Sequence, residues 1–218
     1  MSCPLTVITH GVIDLIQEGP SVSAADVDRF GSLDRRVETP SRWPTHPEKV
    51  MRMPEVVLPL TVRDLTVEDL HLHAGTWGWS ATHVAGTAEA LERARRGEID
   101  FLAVCPPSGV PVATGAVDYT RPPGGGSLEQ LSVDAALRSC GIGTILIEAL
   151  EHRIRARGLT CVELGVDENK SRPRALYERL GYIAVGRQPG AWDEEAPDGT
   201  ITRYETMITV MRKQLSSS

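Results

Sequence analysis

Paired cysteines are missing from this 218-residue sequence: Cys3, Cys105, Cys140 and Cys161 stand alone. That spacing excludes a zinc ribbon or a CxxC redox motif, and scattered single thiols are expected to stay reduced. No apolar run is long enough to cross a bilayer and no signal-like segment opens the chain, so the expected setting is cytoplasmic, with no membrane partner. Positive charge is also short, with 23 Lys and Arg against 29 Asp and Glu and a net charge of -6. A dedicated nucleic-acid binder shows a basic stripe, so nucleic acid is not an expected partner.

What is present is ordinary globular material, 41% hydrophobic and 24% charged, enough for one well-buried core. Residues 1–54 lack a sustained period and read as a partly irregular extension, with short helical pieces at "VIDLIQEG" and "SAADVDRF". Trp43, Met51 and Met53 give its second half something to pack with, on the domain or on a second subunit. Residues 55–215 form the expected domain and 216–218 a tail.

Within the domain the punctuation is regular. A β-type run, "VVLPLTVRDL", precedes a short helix capped by Thr66 and a second helix, "TAEALERARRG", with Thr87 as cap and Gly97 as stop. "DFLAVC" and "VPVATGAVDY" form a hairpin across "PPSG". In "SLEQLSV", Leu131 and Val133 share a face while Leu128 is out of phase, as a β-bulge leaves it. A helix follows, with Ile142, Ile145, Leu146, Ala149, Leu150 and Ile154 at helical spacing and Gly158 as its end. Then come a strand, "TCVELGV", a helix, "RPRALYERLG", and the strands "YIAVGR" and "ITRYETMITVMR", joined by a loop containing Asp198 and Gly199.

Gly141 and Gly143 open the longest of these helices, directly after the bulged strand. Glycine there is costly unless something must approach the backbone closely, and the first amides of a helix attract anions. Phosphate suits such a site. It is not a P-loop, because Thr144 follows Gly143 without a lysine, and not a dinucleotide fingerprint, because Leu146 replaces the third glycine.

Arg138, Gly141 and Gly143 together spell RxxGxG, and "NKSRPRALYERLGY" follows at the right distance. With these two patches the sequence resembles the GNAT superfamily of acyl-CoA-dependent N-acetyltransferases. The resemblance covers roughly residues 55–215. It implies an α/β fold with a mixed, mostly antiparallel sheet of six to seven strands, about four helices and a bulged fourth strand, split by the cofactor between strands four and five. It also names the cofactor, acetyl-CoA.

By the same resemblance, the loop Arg138, Ser139, Cys140, Gly141, Ile142, Gly143 and Thr144 holds the pyrophosphate through backbone amides. Leu131, Ser132 and Val133 hydrogen-bond the pantetheine arm, Asn169 contacts the cofactor, and Tyr177 is the acid that protonates the departing thiolate. Glu129 is the implied base for the attacking amine, with Asp118, Tyr119 and His83 as further candidates. The expected acceptor is a primary amine of a small molecule or a peptide amino terminus, and a homodimer is common in the family. The alternative is an acyl-CoA-binding sensor or interaction module without turnover.

Other features read more plainly. His71 and His73 point to different sides of a helix, which gives no metal site; Trp77 and Trp79 suit either an acceptor wall or the core. Arg93 to Arg96 read as a solvated helix end.

Overall fold

The computed structural model describes residues 58–70, 81–195 and 200–216. The expected extension, His71, His73, Trp77, Trp79 and the Asp198–Gly199 loop lie outside them, as does the side chain of His83. Seven strands, β1 (Thr61–Asp64), β2 (Ile99–Cys105), β3 (Ala113–Asp118), β4 (Gly125–Val133), β5 (Cys161–Asp167), β6 (Ile183–Glu195) and β7 (Ile201–Gln214), form one sheet in the order β1-β2-β3-β4-β5-β7-β6. Every neighbouring pair is antiparallel except β4 and β5. A short helical segment at 67–70 is followed by α1 (Ala81–Arg95), α2 (Ile142–Ala156) and α3 (Ser171–Arg179). No described helix is long and apolar enough to cross a membrane.

The run "FLAVC" is apolar at every position because β2 is covered on both faces. Leu102 and Val104 join a core with Leu128, Leu131, Val133 and the α2 residues Leu146, Leu150 and Ile154. Ile99, Phe101, Ala103 and Cys105 join another with Ala90 and Leu91 of α1. Thr66 stands at the start of its segment, but the bonds run from it: the Asp69 carboxylate three residues on accepts from the Thr66 backbone N–H at 2.9 Å and from its hydroxyl at 3.1 Å. Gly97, Gly109 and Gly158 adopt positive φ at the predicted stops and turn.

Four local expectations are corrected. Thr87 is not a cap: α1 runs from Ala81 and buries Thr87 in its interior, because covering β2 outweighs the propensity cost of Gly86. Ile145 is 37% exposed, and Ile147 and Glu151 take its place on the buried stripe of α2. β4 begins at Gly125, before "SLEQLSV", since a Cβ on Gly126 would lie 2.5 Å from Val117. β6 continues through "QPG" to Glu195. Pro189 is tolerated on this edge strand, and Gly190 lets Ile208 of β7 pack where a Cβ would lie 2.4 Å away.

Candidate active site

β4 and β5 pair only from Gly125 with Cys161 to Leu128 with Leu164. From Glu129 onward β4 makes no ladder with β5, so its backbone amides and carbonyls on that side are left for another extended partner. The cause is local. Gln130 sits at φ 51, and the β3–β4 register slips by one residue between Thr114, opposite Ser132, and Ala116, opposite Glu129. This is the bulge that the phase of Leu128 against Leu131 and Val133 foretold. Leu131 and Val133 put their side chains into the α2 core while their backbone faces the opening.

The chain then runs through a short 3-10 turn at Ala135–Leu137, capped by Asp134, whose carboxylate accepts from the Ala136 N–H at 2.8 Å. Ser139 at φ 65 and Gly141 at φ 83 turn it sharply into α2, the kind of backbone concavity that collects anions. Gly141 is the residue before the first turn and needs its left-handed conformation. Among the described residues, and apart from the adjoining backbone, no atom lies within 4 Å of a Cβ at Gly141, and one at Gly143 would meet Leu176 and Val133 at ordinary distances, 3.6 and 3.7 Å. Protein packing therefore does not demand glycine at Gly143; a ligand against the backbone would. Arg138 donates from Nε to the Val133 carbonyl at 3.3 Å, and Arg172 of α3 reaches the Ser139 hydroxyl at 3.3 Å. Cys140 is exposed beside them and Thr144 closes the first helical turn on the Gly141 carbonyl.

Tyr177 projects from α3 into the α2 core and is 0% exposed. Among the described residues, only its hydroxyl is buried with no hydrogen-bond partner. An orphan of this kind costs about 1–3 kcal/mol, and burial pushes its pKa upward, so it holds its proton. Pro173, in the first turn of α3, removes no needed donor.

Glu129, opposite Ala116, lies on the α1 face and is 6% exposed. Burial pushes its pKa up to about 7; Asp118 adds to the rise, while Arg121, with Nη1 at 3.3 Å, and Arg93 oppose it. Two other base candidates, Asp118 and Tyr119, are engaged. Asp118 accepts from the Thr120 N–H at 2.8 Å, the Thr120 hydroxyl at 2.6 Å and Arg93 at 2.7 Å. Against the penalty of burial, those bonds hold it below the usual carboxylate range. Tyr119 donates to Asp100 at 2.5 Å with Arg157 3.8 Å from its ring centre. Burial and that carboxylate raise its pKa.

Asn169 turns toward β7, its amide donating to the Tyr204 and Thr206 hydroxyls at 3.2 and 3.1 Å. Two residues escaped sequence reasoning. Arg93, read as solvated, is ion-paired with buried Asp118 and with Glu98. Arg121, in a loop, touches both Asp118 and Glu129. Nothing in their spacing announces contacts made across 25 and 8 positions of chain.

A bulged fourth strand parts from a parallel fifth, and a glycine-led helix start lies beyond it, which leaves an open strand edge beside a backbone concavity of the kind that suits an extended, phosphate-bearing group. The chain belongs to the Acetyltransferase (GNAT) family, whose pattern it matches over residues 43–182. It is 39% identical over 67 residues to a mycothiol acetyltransferase of Beutenbergia cavernae, covering 30% of this chain and 23% of that relative's length. Its fold is similar to a ribosomal-protein-alanine N-acetyltransferase from Brucella melitensis, with a TM-score of 0.55, 19% identity, and 71% and 99% of the two chains covered. It is also similar to a phosphinothricin acetyltransferase from Sinorhizobium meliloti in complex with AcCoA, with a TM-score of 0.56, 15% identity, and 72% and 89% covered.

Proposed function

We propose that this protein is an N-acetyltransferase that moves an acetyl group from acetyl-CoA to a primary amine by direct attack. The observation that carries the reading is a pair of buried groups flanking the parted strand: Glu129, which exchanges a proton near neutrality, and Tyr177, whose protonated hydroxyl has no partner. Acetyl-CoA supplies the activated acetyl thioester when bound. The residues present fit it: the amides at Gly141 to Gly143, with Thr144 completing the turn, and the Arg138 side suit its pyrophosphate, and the stretch Leu131 to Val133, which makes no ladder with β5, suits its pantetheine amides.

Glu129 takes the proton of the acceptor ammonium, directly or through water, so that a neutral amine attacks. Its affinity for that proton, near the working pH, is what a general base requires. Tyr177 keeps its proton until a thiolate must be neutralised. Asn169, whose amide donates to two β7 hydroxyls, contacts the cofactor on this reading through the rest of its side chain or its backbone. The acceptor is a small-molecule amine or a peptide amino terminus, classes between which the named relatives divide. Reduced thiols, net charge -6 and the donor's chemistry favour a cytoplasmic enzyme acting on neither membrane nor nucleic acid, as a monomer or homodimer.

The test is thiol release from acetyl-CoA against amines, polyamines, aminoglycosides and short peptides, with calorimetric titration of coenzyme A alongside. Release stimulated by one acceptor class, and lost in Glu129→Gln, is expected. Tight cofactor binding with no stimulated release would make the protein a sensor, and no binding would overturn the whole reading.

A further inference from the structure

The proposed reaction uses neither Arg93 nor Arg121, yet both reach into its site. Asp118, with a side chain 1% exposed, accepts from the Thr120 backbone, the Thr120 hydroxyl and Arg93 Nη2. Its charge is committed and its position is anchored to α1. Arg121 lays Nε 3.4 Å from Asp118 Oδ2 and Nη1 3.3 Å from Glu129 Oε1. One planar guanidinium thus spans two buried carboxylates, a task that suits its rigid fork better than a lysine's point charge.

We propose that Arg121 is a positioning residue for Glu129: clamped by Asp118, its guanidinium holds the Glu129 carboxylate in place and offsets the repulsion between the two buried acids. This rests on reading Glu129 as the base. Among the described residues, the charged groups facing Glu129 are Asp118 from β3, Arg93 from α1 and Arg121 from the loop after β3; the Ser127 hydroxyl of β4 adds a hydrogen bond. Asp118 disfavours the ionised carboxylate and the two arginines favour it. Arg93 is divided between Asp118 and Glu98, which leaves Arg121 as the cation that touches Glu129. Removing it leaves Asp118 and Glu129 as neighbouring like charges, so Glu129 binds its proton more tightly.

The experiment follows the carboxyl carbon of Glu129 by NMR in full-length protein labelled at glutamate, assigned by its loss in Glu129→Gln. Its titration midpoint, near 7 in the wild type, is expected to rise by about one pH unit or more in Arg121→Gln and to return partway in Arg121→Lys. Coenzyme A affinity stays unchanged. The acid limb of kcat/KM with the best amine of the panel moves up by the same interval, so the variant is roughly tenfold slower below the limb and recovers above it. An unmoved midpoint with intact cofactor binding overturns the inference, as does a loss of activity equal at every pH. If Arg121→Gln does not fold, a smaller rise in Arg121→Lys supports the inference and an unmoved midpoint there overturns it. Should Glu129→Gln acetylate the panel as fast as wild type, the base assignment falls, whereas the midpoint still reports whether Arg121 governs that carboxylate.

Discussion

Two regions of this molecule each bury one glutamate and one tyrosine, and they treat them in opposite ways. Where α2 meets β7, Glu151 is 2% exposed and accepts from Lys213 at 2.8 and 2.9 Å, from the Tyr182 hydroxyl at 3.0 Å and from Arg155 at 3.1 Å. At the parted strands, Glu129 has an ion pair at 3.3 Å and a hydrogen bond with Ser127, and the Tyr177 hydroxyl has no partner among the described residues. The two tyrosines even touch, edge to face with ring centres 5.9 Å apart. Completeness of pairing, not burial, separates the groups that hold the scaffold from those left ready for chemistry.

The sharpest way to break that comparison is Glu129→Gln. Acetyl transfer to the best amine is expected to fall about 10²–10⁴-fold, measured by thiol release. Stability should move the other way. Because the folded carboxyl titrates at about 7 against an ordinary 4.5, the native state binds the extra proton between those values. Stability drains away as pH rises through that window. The glutamine variant escapes the loss, so at pH 8 it should unfold several degrees higher, a gain of about 1–3 kcal/mol, with no gain at pH 4.5. Equal unfolding temperatures at pH 8 would show Glu129 to be ordinarily solvated.

The opposite region answers to Lys213→Met, which removes the shortest ion pair of Glu151 and leaves its charge to Arg155 and Tyr182. A loss of about 2–3 kcal/mol is expected, read from denaturant unfolding, with coenzyme A affinity per folded molecule unchanged. Gly143→Val comes next. Its backbone is helical and its surroundings are open, so the fold should tolerate it while coenzyme A binding weakens about 100-fold, or roughly 2.7 kcal/mol, in calorimetry. Loss of fold rather than of binding would make the glycine a packing residue. The smallest effect should come from the tyrosines. Tyr182→Phe removes a made hydrogen bond and should cost about 1 kcal/mol without slowing turnover. Tyr177→Phe removes an orphan, so it should leave stability equal or better while lowering kcat. If the two variants behave alike, the contrast between the regions fails.

Much of the donor side was legible in the chain itself. The phase of Leu128 against Leu131 announced the bulge that φ 51 at Gln130 produces; Gly141 reads as room for close approach to the backbone, and the structure adds that it takes a left-handed conformation that glycine adopts freely. Misreadings arose where packing overrode local preference. Thr87 looked like a cap, yet α1 had to extend to cover β2; the sequence pattern ends the sixth strand with "YIAVGR", yet an edge strand accepts Pro189 and Ile208 needs Gly190 bare. Arg93 looked solvated because its partner Asp118 is 25 residues away.

The kind of cofactor is implied by the family resemblance that RxxGxG carries; the sequence by itself determined the element order, the bulge and the glycine-led helix start. These depend on constraints acting within a few residues: side-chain alternation, φ sign and the unsatisfied amides of a helix end. Only the tertiary structure decided which buried carboxylate is fully paired, which tyrosine hydroxyl has no partner among the described residues and which arginine faces Glu129. Those outcomes depend on the exclusion of water and on charges meeting across distant strands, and neither is written in local order.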